Sequence, residues 1–214
     1  MTLVLACSGS CEIVVAADRK VYQGGTTGYV DTSPKTKLKK LGSRCIMACA
    51  GSPMGYLAAD ELGLTSLDLS PSDYHVRLKE FYRKHEYRQE CSVLLATFEG
   101  SLPTLTTFTL STSNNTLGPE PRDGGITAIG AHKETALLLL RLWHSANMNT
   151  QQRKELVHMI LCLVANHEMR VGSGVDIAVV TPKGVSIEDG TRYEETSKRL
   201  LDDLKALLPP VESV

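Results

Sequence analysis

Thr2-Leu3-Val4-Leu5-Ala6-Cys7-Ser8-Gly9-Ser10-Cys11-Glu12-Ile13-Val14-Val15-Ala16-Ala17-Asp18 is the stretch whose reading decides the fold. Two strand-like apolar runs, residues 2–7 and 12–17, flank a Ser8-Gly9-Ser10 turn, so the chain opens with a tight hairpin. Beyond it lie a Gly/Thr-rich loop around residues 24–28 and a strand at 45–50. Gly51-Ser52-Pro53 then opens a helix with the proline in its first turn, and Tyr56, Leu57, Ala59 and Leu62 form its apolar stripe. Ser70-Pro71 caps a second helix that packs through Val76, Leu78, Phe81 and Tyr82 and turns Arg77, Lys79, Glu80, Arg83 and Lys84 to water.

Strands return at 93–98 and 105–110, paired about a Glu99-Gly100-Ser101 turn, and residues 111–125 read as polar loop. A short strand at 126–129 leads into a helix with Leu137, Leu138, Leu140, Leu142 and Trp143. A second helix opens at Asn149, and both are apolar nearly all round. A helix of that kind is buried on more than one side, by a sheet and by either another helix or a neighbouring subunit, which points to oligomerisation. Strands at 175–181 and 185–187 precede a last helix at about 194–208, stopped by Pro209-Pro210. Blocks of strands followed by blocks of helices argue against a doubly wound sheet. They favour an α+β fold in which two antiparallel sheets pack face to face with helices on both outer faces, as one domain over residues 1–214.

The bulk composition narrows the function. Lys plus Arg (23) nearly balances Asp plus Glu (24), so the net charge of −1 offers no footprint for nucleic acid. No apolar run approaches the roughly 20 residues of a membrane span, and the N-terminus lacks the basic segment of a secretory signal, so the expected location is the cytoplasm. The six cysteines are expected as free thiols. Cys7-x3-Cys11 and Cys45-x3-Cys49 have wider spacing than zinc sites favour, and the six histidines show no ligand spacing and read as surface or helix-face residues; no metal and no cofactor are expected.

Thr2 is the first candidate for chemistry. Once Met1 is removed, its hydroxyl is a nucleophile whose own α-amine, with an ordinary pKa of about 7.7 to 8.0, is a suitable base at neutral pH. Asp18 follows sixteen residues later at the end of Val14-Val15-Ala16-Ala17, and Lys37 stands fourteen residues before Gly51 of the Ala50-Gly51 pair. Singly, these are a turn residue, a solvated lysine and a glycine at the start of a helix; their joint spacing is the signal.

Over essentially the whole chain this pattern resembles the catalytic β-type subunits of the proteasome and their bacterial β-proteasome homologues, which are N-terminal nucleophile hydrolases. The resemblance implies a four-layer αββα sandwich. It makes Thr2 the nucleophile, Lys37 the ammonium that steadies the Thr2 Oγ, Asp18 the partner that fixes Lys37, and Gly51 the oxyanion donor. Ser173, before Gly174, keeps a further position of the pattern. Two positions depart from it: Ala131 stands where a serine follows the glycine of the third helix, and Arg170 where a carboxylate is usual. Glu168 or Asp176 would be the replacement for that carboxylate. By the same resemblance Val21, Lys35, Cys49 and Pro53 wall the substrate pocket, which then favours an acidic or modest side chain over a large aromatic one.

The expected function is therefore a self-compartmentalising threonine peptidase of two stacked homomeric rings, with about seven subunits in each and six as the alternative. It would cleave unfolded polypeptides, with an ATP-dependent unfoldase as the partner that feeds the chamber. Ala131 and Arg170 motivate the rival, a ring-forming shell that has lost hydrolysis. A small-molecule amidase fits less well with the helix pattern.

Overall fold

The computed structural model describes residues 2–19, 21–22, 30–31, 36–87, 89–111, 118–121, 123–167 and 174–207. In chain order the strands are β1 (Leu3–Ser8), β2 (Ile13–Asp18), β3 (Val21–Tyr22), β4 (Val30–Asp31), β5 (Leu38–Leu41), β6 (Cys45–Gly51), β7 (Cys91–Glu99), β8 (Leu102–Leu110), β9 (Glu120–Pro121), β10 (Ile126–Gly130), β11 (Val175–Thr181) and β12 (Gly184–Asp189). The α-helices are α1 (Met54–Glu61), α2 (Pro71–Lys84), α3 (Lys133–Trp143), α4 (Thr150–His167) and α5 (Glu194–Leu207). The strands form a five-stranded antiparallel sheet in the order β10-β1-β2-β11-β12, a second in the order β5-β6-β7-β8-β9, and a β3-β4 ribbon. The chain is thus α+β, with two antiparallel sheets and, among the described residues, five α-helices.

The opening hairpin sits at the centre of the first sheet and is covered on both faces. Leu3, Leu5, Cys7, Val14 and Ala16 point into a core shared with α3, α4 and α5, while Val4, Ala6, Ile13, Val15 and Ala17 point into one shared with the second sheet. Burial of both faces removes the need for polar alternation, and Val14 to Ala17 is apolar without a break. A third core lies between the second sheet and α1 and α2, built from Met47, Cys49, Val93, Leu95, Leu78 and Tyr82 among others. β5 had no sequence expectation of its own. In Leu38-Lys39-Lys40-Leu41 only the leucines are buried, and the lysines guard the exposed edge of the sheet.

Side chains correct several helix faces. In α1 the buried positions are Gly55, Ala58 and Ala59, and Leu57 is exposed. In α2 the expected cap is present, Ser70 accepting from the Asp73 N–H at 3.1 Å, but Val76 faces solvent while Tyr74 and His75 are buried. Asn149 and Gln152 exchange hydrogen bonds of 2.9 Å as a capping box at the start of α4. The apolar surface of α4 is taken up within the chain, by β1, β2 and β11 on one side and by α3 and α5 on others. On α3, by contrast, Leu138 and Leu142 remain 56% and 66% exposed.

Arg153 on α4 is also buried. Its guanidinium donates to Glu12 Oε1 at 2.5 Å and to the Ala146 carbonyl at 2.9 Å, joining the hairpin to the helix layer. The planar guanidinium reaches the carboxylate and the backbone carbonyl at once through two separate nitrogens.

His158, expected as a surface or helix-face residue, lies on the face of α4 that α5 covers, its Nδ1 2.7 Å from Ser197 Oγ. Burial lowers its pKa from 6.5 to about 4. The unfolded chain therefore takes up this proton first, and stability present above pH 6.5 falls as the pH drops toward about 4. His158→Gln is expected to flatten the dependence of melting temperature on pH across that window, measured beside the parent chain. His75 and His144, whose pKa values burial also lowers, retain their share of the slope.

Candidate active site

Asp18 closes β2 and is fully buried. Its Oδ1 accepts the Leu3 N–H at 2.8 Å, and its Oδ2 accepts from Lys37 Nζ at 2.9 Å. The Leu3 N–H belongs to the peptide that joins Thr2 to Leu3, so one carboxylate ties the ammonium to the backbone beside Thr2. Lys37 stands immediately before β5 and is 7% exposed. Burial draws its pKa below the ordinary lysine value, and the charge and hydrogen bond of Asp18 draw it back only in part.

Thr2 is half-buried, and its carbonyl accepts the Ala131 N–H at 2.8 Å. The contact depends on Gly130, where φ is +99° and a Cβ would lie 1.9 Å from the Thr2 carbonyl oxygen and 3.0 Å from Ala50 Cβ. The end of β10 is therefore wedged between Thr2 and Ala50, one residue before Gly51. Gly51 ends β6 with φ +95° and is exposed, and a side chain there would meet the Glu90 carbonyl at 2.7 Å. The next residue turns into α1: the Ser52 N–H donates to Glu90 at 3.1 Å, and Ser52 Oγ accepts the Met54 N–H at 3.3 Å.

Thus Asp18 and Lys37 meet directly, Thr2 is bound to them through one peptide, and Gly51 lies beyond Ala50 across Gly130. Ala131 brings an N–H to Thr2 and, as a side chain, only a methyl. Ser173, Arg170 and Glu168 lie outside the described residues. Asp176 is buried and committed to Arg19, whose Nε donates to its Oδ1 at 2.8 Å and whose Nη1 reaches Asp189 at 2.9 Å. These carboxylates raise the pKa of Arg19. Of the expected pocket residues, Cys49 is buried on the helix side of the second sheet and Pro53 is exposed. Lys35 lies outside the described residues, and Val21 is described only in its backbone, as part of β3.

Arg19 and Tyr56 are the neighbours that sequence reading passed over. Arg19 directly follows Asp18, and its side chain pairs across the strand end with a residue far along the chain. Tyr56 belongs by sequence to the packing stripe of α1, yet its hydroxyl donates to the Lys37 carbonyl at 2.6 Å and accepts the Cys49 N–H at 2.7 Å. The assembled groups hold an ammonium out of water beside the peptide that joins Thr2 to Leu3. Among the described residues no three His, Cys, Asp or Glu side chains gather where a metal ion could sit, and no helix is long and apolar enough to cross a membrane. No protein-family model matches the chain, and no curated protein matches it.

Proposed function

We propose that this chain is a threonine-type endopeptidase of the N-terminal nucleophile class, with the four-layer αββα architecture and proteasome β-type resemblance read from its sequence. The observation that carries the reading is the link from Lys37 Nζ through the buried Asp18 to the peptide following Thr2. With Met1 removed, the Thr2 α-amine takes the Oγ proton as Oγ attacks a substrate carbonyl. The carbonyl electron pair moves to oxygen, where the Gly51 N–H donates to it. Collapse expels the amine product, which leaves with the proton held by the Thr2 ammonium. Water then attacks the ester with the same amine as base, releasing the acid and restoring Thr2. The ammonium of Lys37 favours the unprotonated amine and the developing alkoxide.

The exposed Leu138 and Leu142 of α3 favour contact with another copy, since paired apolar side chains on one helix face gain by burial, and the resemblance supplies the form of the assembly, two stacked rings of about seven or six subunits. Compartmentalisation then restricts access to unfolded polypeptides, and an ATP-dependent unfoldase is the partner that supplies them. A second reading, a ring-forming shell without hydrolysis, is favoured by one feature, the Ala131 methyl beside Thr2.

The test is cleavage of a permanently unfolded polypeptide against a stably folded one by the processed protein, with particle mass recorded in parallel. Cleavage of the unfolded chain alone, lost in Thr2→Ala, is the expected result, with acidic or modest side chains preferred at the cut. An assembled ring that cleaves neither supports the shell, and a preference for large aromatics contradicts the pocket assignment.

A further inference from the structure

The ladder between β5 and β6 runs from Leu41↔Cys45 to Leu38↔Ala48, and the next pair in that register would be Lys37 with Cys49. In its place stands the hydroxyl of Tyr56. It donates to the Lys37 carbonyl at 2.6 Å and accepts the Cys49 N–H at 2.7 Å, with the Cys49 carbonyl at 3.3 Å. A phenol has one proton to give, so the shorter contact to Lys37 takes it and the Cys49 N–H fills a lone pair. The hydroxyl thus occupies a rung of the sheet and holds the two backbones apart by the width of one oxygen. That is where β5 leaves its neighbour and Lys37 reaches Asp18 instead of continuing along the edge.

We infer that Tyr56 is a positioning residue of the Thr2 site, its hydroxyl setting the direction in which Lys37 leaves the sheet. The inference rests on the proposed function for its catalytic meaning, but its geometric content stands apart from it. Tyr56 acts through two backbones at once: that of Lys37, and that of Cys49, two residues before Gly51. The same α1 that begins just beyond Gly51 therefore carries the group that directs the ammonium, so one helix joins the two halves of the site. Lys39, on the edge strand, adds a second tie to this helix, with Nζ 3.3 Å from the Tyr56 carbonyl and paired with Asp60.

The test uses Tyr56→Phe, which keeps the ring and removes only the hydroxyl. Trace acylation of lysines in the intact assembly, read by peptide mass across pH, gives the accessibility and pKa of Lys37 whether or not the protein hydrolyses anything. In the variant, the limiting rate of Lys37 labelling at high pH, where the amine is fully unprotonated, is expected to rise about tenfold, the scale of one lost hydrogen bond, while the midpoint of its pH profile moves up toward the ordinary lysine value. Lys154, held against Glu188 far from the site, serves as the internal reference and should label as before. Equal labelling of Lys37 in both proteins overturns the inference, and so does a rise shared by Lys154, which reports a loosened fold. Where the parent chain reacts at Thr2, the variant's rate should fall and its midpoint should move to higher pH, because the ammonium no longer depresses the proton affinity of the Thr2 amine. A parent chain that is inert at Thr2 sinks the proposed function, while the Lys37 labelling still decides the role of Tyr56.

Discussion

Lys37→Ala is expected to abolish turnover and to destabilise the protein together. Asp18 is fully buried, and the substitution removes the ammonium it faces at 2.9 Å. Taking away one partner of a buried ion pair costs about 3–5 kcal/mol, far more than the pair adds over apolar replacements, because the remaining charge stays in a poor solvent. The two effects separate in the double variant Asp18→Asn, Lys37→Met. A neutral amide still accepts the Leu3 N–H through its oxygen, and methionine fills most of the lysine volume, so most of the lost stability should return. Turnover should not return, since the Lys37 ammonium is gone. Urea unfolding and peptide turnover on the parent, the single variant and the double variant check this. Recovery of both quantities in the double variant would mean that the pair serves the fold alone.

Gly130→Ala is the second large effect. The added Cβ would lie 1.9 Å from the Thr2 carbonyl oxygen and 2.9 Å from its carbon, and both are backbone atoms that cannot rotate aside. The residue must also keep φ at +99°, where a side chain is strained. Thr2 has to move, and the 2.8 Å hydrogen bond from Ala131 is lost with it. We expect a loss of about 2–4 kcal/mol in stability and a fall in Thr2 reactivity of about a hundredfold or more. Gly100→Ala is the matched control: φ is +64°, nothing lies within 4 Å of its Cβ, and it sits in the turn between β7 and β8. That variant should lose about 1 kcal/mol for the backbone strain alone and keep full reactivity. Differential scanning calorimetry and Thr2 labelling rates on both variants distinguish a local clash from a general cost of positive φ.

The parts of the fold visible in the sequence are those where one physical signal dominates. β1, β2 and residues 177–180 of β11 are continuous apolar runs, and burial on both faces wrote them so. β5 escaped because two of its four residues are lysines on an edge, where solubility outweighs hydrophobicity. Helix faces were read less well for a related reason. Val76 and Leu57 are apolar yet exposed, and His75 and His158 are polar yet buried, so a single side chain's hydropathy does not fix its side of a helix. The near all-round apolarity of α4 reflected α3 and α5 packing on it, whereas the same property in α3 leaves leucines outside.

At the site, Asp18 and Lys37 were legible only through their joint spacing with Thr2 and Gly51, because each alone reads as a turn residue or a solvated lysine, and it is the fold that brings them to 2.9 Å. Tyr56 was not, because its role depends on a hydroxyl replacing one backbone rung, and no residue pattern records where a ladder opens. The pairing of Arg19 with Asp176 joins positions 157 apart in sequence, a separation that only the folded sheet brings to contact.

The proposed reaction begins at Thr2, freed of Met1, as the nucleophile. The most direct measurement is the intact mass of the purified protein after exposure to an electrophile that reacts with the amine and hydroxyl of an N-terminal threonine together. The expected result is a chain lacking Met1 that gains one reagent per subunit, with the gain absent in Thr2→Ala and slowed in Lys37→Ala. A processed chain that gains nothing, or a Thr2→Ala chain that gains as much as the parent, would contradict it.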